Sequence, residues 1–218
     1  MEKKNNFIYP AMLSLTNKQC ILIGGGPVAL RKVKTLLDAG ANVTVIAPSF
    51  VPEIEKLREK ISLIKRNFKA EDLQGAFLVI AATDNFEINR EITALAPYLI
   101  NNVTEPELSN FIVPSSFNKG DIYISIATGG VPAFTRKLKE YFADKLPDSF
   151  SEFNEFLQEQ RAEIKKIPSS SAERTNFWRE ALSDEVFQLL EEGKTLLAKE
   201  KFLHAVDCFR SQSQIGSR

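Results

Sequence analysis

One local feature constrains this chain more than any other: a short apolar run stops on three glycines and restarts as an amphipathic helix. The run is Gln19–Ile23, the glycines are Gly24-Gly25-Gly26, and the helix is read over Pro27–Ala39. Pro27 suits a first helical turn, where its missing N–H costs nothing. Ala29, Val33, Leu36 and Leu37 recur at helical spacing and form the expected buried stripe. Gly40 follows as a C-terminal stop. The stretch Gly24-Gly25-Gly26-Pro27-Val28-Ala29 fits G-x-G-x-x-A. In such a loop the glycines permit a tight turn and close backbone approach to a pyrophosphate. The small Ala29 lets helix pack on strand, and the helix N-terminus offers unpaired N–H groups to the phosphates. The alternative is a tight strand-to-helix turn that holds no ligand.

The alternation continues downstream. Asn42–Ala47 reads as a second strand, rich in β-branched residues, and Val51–Lys60 as a helix. Ser62–Lys65, Phe77–Ala82 and Leu99–Val103 read as strands three to five, with a helix over Phe86–Ala96. Strands that are almost wholly apolar and separated by helices imply a parallel sheet covered on both faces. The fold class is therefore α/β, with an N-terminal Rossmann sheet. The pattern changes after Pro106. Phe111–Val113 and Tyr123–Ile126 read as antiparallel strands joined through Asn118-Lys119-Gly120. Helices are expected over Pro132–Leu146, Ser149–Lys166, Ser171–Leu182 and Asp184–Arg210, with a loop at Pro168-Ser169-Ser170-Ser171.

The ends of the strands supply the remaining cofactor candidates, because ligands of open parallel sheets bind at the carboxyl edge. The second strand ends Val45-Ile46-Ala47-Pro48. It has neither an acid for a ribose 2′-hydroxyl nor an arginine for a 2′-phosphate, so Pro48 and Ser49 stand there instead, and the pattern alone leaves NAD and NADP open. Ala82, Thr83 and Asp84 end the fourth strand; Asp84 reads either as a cofactor contact or as the N-cap of the next helix. Asn101 and Asn102 end the fifth, as cofactor contacts or as strand-end caps.

Composition narrows the partners. Lys plus Arg and Asp plus Glu balance at 28 each, which argues against a duplex nucleic-acid binder. The longest uncharged run, Ile122–Thr135, is broken by Gly129, Gly130 and Pro132 and falls short of the roughly 18 apolar residues a membrane span needs. The opening Met1-Glu2-Lys3-Lys4-Asn5-Asn6 lacks the apolar core of a signal peptide. Cys20 and Cys208 lie far apart and read as free thiols in a reducing cytoplasm. With His204 the only histidine, no multi-histidine metal site is expected within one chain.

These motifs, taken in order, resemble the precorrin-2 dehydrogenase/sirohydrochlorin ferrochelatase family, which also forms the N-terminal module of siroheme synthase. The likeness runs through Leu13-x-Leu15, the glycine loop with Arg31-Lys32, Ala39-Gly40-Ala41, Val43-Thr44-Val45 and Ala81-Ala82-Thr83-Asp84. It continues through Asn102–Pro106, Phe111-Ile112-x-Pro114, Ile124-Ser125-Ile126-x-Thr128-Gly129-Gly130, Arg136-Lys137-Leu138 and Phe177-Trp178, covering about residues 10–180. The resemblance implies a cytoplasmic enzyme that oxidises the tetrapyrrole precorrin-2 to sirohydrochlorin with NAD+ and, in bifunctional members, inserts Fe2+ to give siroheme. It implies an intertwined homodimer, hence a division into an NAD-binding domain over 1–110, a small mixed dimerisation and substrate region over 111–147, and a helical domain over 148–218. The many carboxylates of such a substrate could meet Arg31, Lys32, Arg136 and Lys137, which otherwise read as solvated helix faces.

The chain departs from the family at one position. Many members carry a catalytic aspartate after the fifth strand; aligned on Pro106, Thr104 stands there, followed by Glu105. A neutral hydroxyl cannot take the proton that a carboxylate can. Dehydrogenation suffers less than chelation, since the nicotinamide accepts the hydride and water can take the proton. The catalytic candidates are thus Thr104, Glu105 and Thr128, with no protein metal site expected. Thr128 reads either as lining a macrocycle pocket or as part of a tight turn. The rival is a non-catalytic NAD-binding regulatory module.

Overall fold

Alternate residues of the first strands point into two different cores, and this fixes the architecture of the N-terminal unit. A computed structural model describes residues 9–215. It contains β1 (Gln19–Ile23), α1 (Pro27–Asp38), β2 (Asn42–Ala47), α2 (Pro52–Glu55), β3 (Ser62–Lys65), β4 (Leu78–Ala81), α3 (Phe86–Leu95) and β5 (Leu99–Asn102). Cys20, Leu22, Val43, Val45, Leu78 and Ile80 face one core, which Ala29, Val33 and Leu36 of α1 complete. Ile21, Ile23, Ile46, Val79, Ala81 and Ile100 face the other, completed by Ile92 of α3. The period of two in a strand sends neighbours to opposite faces, so each face needs its own helical cover.

The five strands run parallel in the order β3-β2-β1-β4-β5. The chain winds outward from β1 through β2 to β3, then returns to the other side of β1 with β4. The winding direction therefore reverses between β1 and β4, and a crevice opens at their carboxyl ends. This is the expected Rossmann sheet.

The chain divides into two compact units between Val113 and Pro114. The second unit holds a hairpin of β6 (Ser115–Lys119) and β7 (Ile122–Ile126), then α4 (Pro132–Asp144), α5 (Asp148–Ile164), α6 (Ser171–Ala181), α7 (Asp184–Glu191) and α8 (Thr195–Ile215). Its core is aromatic: Phe153, Phe177, Phe202 and Phe209 are buried together with Ile164, Val186, Leu190 and Val206. Phe202 lies at its centre, in edge or tilted contact with Phe153, Phe156, Phe177 and Trp178.

Four sequence expectations are corrected. The helix expected over Val51–Lys60 keeps only Pro52–Glu55. Beyond it the backbone tightens into i→i−3 bonds, Leu57 to Ile54 and Arg58 to Glu55, with Ile54 alone fully buried there. The strand expected over Phe111–Val113 lies instead beside β5, through Phe111 N–H to the Ile100 carbonyl. Pro114, which has no N–H, precedes the first strand of the hairpin, and the turn is Gly120-Asp121 with Gly120 at φ 52°. The single helix expected over Asp184–Arg210 is two, broken at Gly193, where φ is 73°. Gly193 and Lys194 return their N–H groups to Leu190 and Leu189, a glycine stop of the left-handed kind. The reversal buries Leu190 and Phe202 and leaves Leu196 and Leu197 76% and 50% exposed. The helix after β4 is capped by Asn85, whose Oδ1 accepts from Ile88 N, rather than by Asp84.

The central place of Phe202 gives a stability prediction. Phe202→Ala should cost about 3–5 kcal/mol. Chemical denaturation followed by far-UV circular dichroism checks this, and the loss should appear in the transition that melts the helical unit.

Candidate functional site

The three glycines of the loop have different jobs. Gly24 sits at φ 131°, and a Cβ there would lie 2.2 Å from the Ala82 carbonyl oxygen at the exit of β4. A Cβ on Gly25 would lie 1.9 Å from the Ser49 carbonyl oxygen at the exit of β2. Two backbone bonds hold this packing: Gly24 N–H to Ile46 O at 2.9 Å and Val51 N–H to Gly25 O at 2.8 Å. Gly24 and Gly25 are therefore required by the fold itself. Gly26 is not. It has φ −91°, and a Cβ there would meet nothing within 4 Å. Its bare face opens to solvent at the start of α1.

That helix start suits an anion. Gly26 caps α1 without any side-chain bond, Pro27 follows, and the first turn holds no acid. The first helical bond runs from Leu30 N–H to Gly26 O, so the N–H groups of Val28 and Ala29 precede the ladder and are left for an outside acceptor. Ala29 is fully buried and brings the helix close to the sheet, while Val28 is 41% exposed beside the opening. An open glycine face, unspent amides and a first turn free of acids fit the diphosphate of a dinucleotide.

The exits of the other strands border the same edge. Pro48 and Ser49 lie exposed after β2, and no ionisable side chain occurs from Ala47 to Val51. After β4, Ala82 returns its N–H to Ile23 O at 2.8 Å. Asp84 is exposed and, with Asn85, Phe86 and Glu87, lines a shallow depression.

The exit of β5 is strapped to α3 by side chains. Asn102 is fully buried, and its Oδ1 accepts from Thr104 N–H (3.0 Å), Thr104 Oγ1 (2.8 Å) and Glu105 N–H (3.0 Å). Ser109 Oγ accepts from Asn102 N–H at 2.8 Å. Asn101 is also buried, and its Nδ2 donates to Phe111 O at 3.1 Å. Both asparagines thus serve as strand-end caps. Thr104 Oγ1 accepts from Asn89 Nδ2 at 3.1 Å while donating to Asn102, so its hydroxyl is committed on both sides. Glu105 forms a two-pronged pair with Arg90, Nε to Oε2 at 2.8 Å and Nη2 to Oε1 at 2.5 Å. That guanidinium holds the Glu105 carboxyl below the usual carboxylate range.

Sequence reading missed Asn89 and Arg90. Asn89 had a signal: it occupies the inward face of α3, three residues before buried Ile92, where an apolar residue is the ordinary choice. Arg90 had none, since its partner lies 15 residues away. Of the basic candidates, Lys32 is partly buried, and burial together with neighbouring Arg31 lowers its ammonium pKa. Arg136 and Lys137 are exposed on α4.

Thr128 belongs to the second unit. Its hydroxyl donates to Val131 O at 3.1 Å and lies 2.5 Å from Thr135 Oγ1, across a turn whose Gly129 and Gly130 have φ of 61° and 101°. No residue of the following helix α4 is buried, and Phe134, Tyr141 and Phe142 stand 54%, 55% and 43% exposed. Among the described residues no cluster of three or more His, Cys, Asp or Glu is arranged to hold a metal ion. No described helix is long and apolar enough to cross a membrane.

Comparison with known proteins agrees with this geometry. Residues 11–115 match a family model described as putative NAD(P)-binding, and residues 149–206 match the sirohaem synthase dimerisation region. Siroheme synthase of Thioalkalivibrio sulfidiphilus is 34% identical over 206 residues, covering 91% of this chain and 42% of the relative. Siroheme synthase of Tolumonas auensis is 37% identical over 187 residues, covering 84% and 40%. The chain thus spans about two fifths of the length of these curated relatives. A solved structure of SirC, precorrin-2 dehydrogenase, superposes with a TM-score of 0.75 at 26% identity, covering 92% of this chain and 99% of that one. A dinucleotide-type glycine loop, a matching dimerisation region and likeness along nearly the whole chain lead to one conclusion: the protein belongs to the precorrin-2 dehydrogenase/siroheme synthase family.

Proposed function

We propose that this protein is an NAD+-dependent dehydrogenase that oxidises precorrin-2 to sirohydrochlorin. The observation that carries the reading is the open face of Gly26 beside the unspent amides of α1, in a chain similar along its length to SirC, precorrin-2 dehydrogenase. The bound nicotinamide would take a hydride from the macrocycle, and a proton would leave with it. The protein's part is to seat and orient. The amides of Val28 and Ala29 and the bare backbone of Gly26 receive the diphosphate, and Pro48 and Ser49 border the adenosine ribose. Thr83 and Asp84 form the edge toward the nicotinamide, and the buried Asn101 and Asn102 hold the exit of β5 behind it. Absence of a basic side chain from Ala47 to Val51 favours NAD+ over NADP+, whose 2′-phosphate would find no partner there.

Thr104 and Glu105 act in this reading by fixing the turn after β5, since the hydroxyl is doubly bonded and the carboxylate is paired with Arg90. The proton leaves to water. Thr128 is carried forward as a candidate for contact with the tetrapyrrole. Assisted Fe2+ insertion needs a group that strips protons from pyrrole nitrogens, and neither Thr104 nor the paired Glu105 is free to do so. The working reading is therefore dehydrogenation without chelation. The free Cys20 and Cys208 support a reducing, cytoplasmic setting.

A homodimer is part of the proposal. Residues 149–206 match the sirohaem synthase dimerisation region, and the hairpin and α4 just before them expose Tyr123, Phe134, Tyr141 and Phe142, large apolar side chains of the kind that mark an interaction surface. Light scattering at micromolar concentration should give twice the 24.5 kDa chain mass. Phe134→Glu with Tyr141→Glu should shift that mass toward the monomer, and a monomeric wild type would contradict the proposal.

The activity test is anaerobic. Precorrin-2 and NAD+ are supplied together, and NADH and sirohydrochlorin absorbance are followed. Gly26→Asp should fold, because its φ is ordinary and its side chain meets open space. It should lose roughly 100-fold in kcat/KM for NAD+, about 3 kcal/mol of cofactor affinity lost to like-charge repulsion. NAD+ binding without turnover of precorrin-2 would favour the non-catalytic regulatory reading. Fe2+ added to purified sirohydrochlorin should be inserted no faster with the protein than without it; acceleration would restore chelatase activity to the account.

A further inference from the structure

The side chain of Asn89 is buried and meets two separate strand exits. It is fully inaccessible, within α3, at a position flanked by the apolar core of Ile92. A primary amide offers two donors and two acceptor lone pairs. Asn89 spends all four on its neighbours. Its Oδ1 accepts from Thr83 N–H at 3.2 Å and from Thr83 Oγ1 at 2.7 Å. Its Nδ2 donates to Thr83 O at 3.0 Å and to Thr104 Oγ1 at 3.1 Å. Thr104 passes the chain on to Asn102 Oδ1. Asn102 Nδ2 returns it to Thr93 Oγ1 at 3.2 Å, and Thr93 Oγ1 donates to the Asn89 carbonyl at 2.7 Å.

We infer that Asn89 is a positioning residue for the dinucleotide crevice: its buried amide fixes the exits of β4 and β5 against each other at the edge where the cofactor would lie. The inference rests on the dinucleotide reading above. The helix does not need the amide for its own sake, because an apolar side chain of similar size would fill the same space without desolvating two donors and two acceptors. What the amide adds is selection of one backbone conformation at Thr83 and one hydroxyl orientation at Thr104. Thr83 follows the strand beside the β1–β4 switch point, and Thr104 follows the neighbouring strand. A cofactor meeting edges already fixed pays less ordering entropy on binding. The closed circuit through Asn102 and Thr93 resists movement of either exit alone.

Three proteins are compared: wild type, Asn89→Ala and Asn89→Asp. NAD+ affinity is measured by titration calorimetry and KM for NAD+ by the anaerobic assay. Asn89→Ala should raise both the Kd and the KM for NAD+ about tenfold while changing kcat at saturation by less than about threefold. A core trimming of the same helix, Ile92→Val, should lower the melting temperature with no change in KM for NAD+. Asn89→Asp gives an independent reading should the alanine variant not fold. A carboxylate keeps the acceptors toward Thr83 but loses both donors, whereas the protonated acid regains one. The NAD+ affinity of Asn89→Asp should therefore improve as pH falls, against a flat wild-type profile. Asn89→Ala binding NAD+ within twofold of wild type overturns the inference, as does a flat profile at wild-type affinity for Asn89→Asp. A wild type that fails to bind NAD+ at all overturns the dinucleotide reading, and this inference falls with it.

Discussion

The N-terminal unit turns on two places where backbone meets backbone with no room for a side chain. Gly24 lies against the Ala82 carbonyl and Gly25 against the Ser49 carbonyl. These contacts draw the exits of β4 and β2 to the exit of β1. They set the direction in which α1 departs and leave its first amides pointing at the sheet edge. Any Cβ at either glycine would push the exits apart by ångströms, and at Gly24 would meet an unfavourable φ as well. Gly26, next in sequence, carries no such constraint. The loop thus separates into a part that builds the edge and a part that leaves it open, and only the second part points to a ligand.

Around this edge the chain uses buried polar groups as fasteners. Asn102, Thr104 and Asn89 form one hydrogen-bonded circuit, and Arg90 with Glu105 forms a second link between α3 and the turn after β5. Among the described residues no buried side-chain polar atom lacks a partner. A circuit satisfied in full is rigid, because moving one member leaves others unpaired in a medium of low dielectric. This changes the meaning of Thr104. Read against the family pattern, it is the loss of a carboxylate. In the fold it is a hydroxyl that both donates and accepts, a pairing that an ionised carboxylate beside Asn102 Oδ1 cannot reproduce.

Much of this was legible in the sequence, and the reasons are physical. The central strands announced themselves because burial on both faces demands unbroken apolar runs, as in Leu78–Ala81, while the edge strand β3 keeps only Leu63 and Ile64 between polar ends. The glycine loop was legible because its steric needs are local. The hairpin was found one step out of place, since Pro114 and Gly120 rather than apolar content decide where it starts and turns. The break at Gly193 was missed because helical spacing continues on both sides of it, and a single glycine is tolerated inside many helices. The site network was only half legible. Asn101, Asn102 and Thr104 stood out at a strand end, but their partners Asn89, Thr93 and Phe111 are brought to them by tertiary packing alone.

The proposed function requires a dinucleotide on the bare face of Gly26 with its diphosphate on the amides of α1. Backbone amide resonances of isotopically labelled protein, followed through a titration with NAD+, test it most directly. Saturable shifts are expected, concentrated at Gly26, Val28 and Ala29, with smaller ones at Ser49, Thr83 and Asp84. Saturable binding that leaves the Gly26–Ala29 amides unmoved would contradict it.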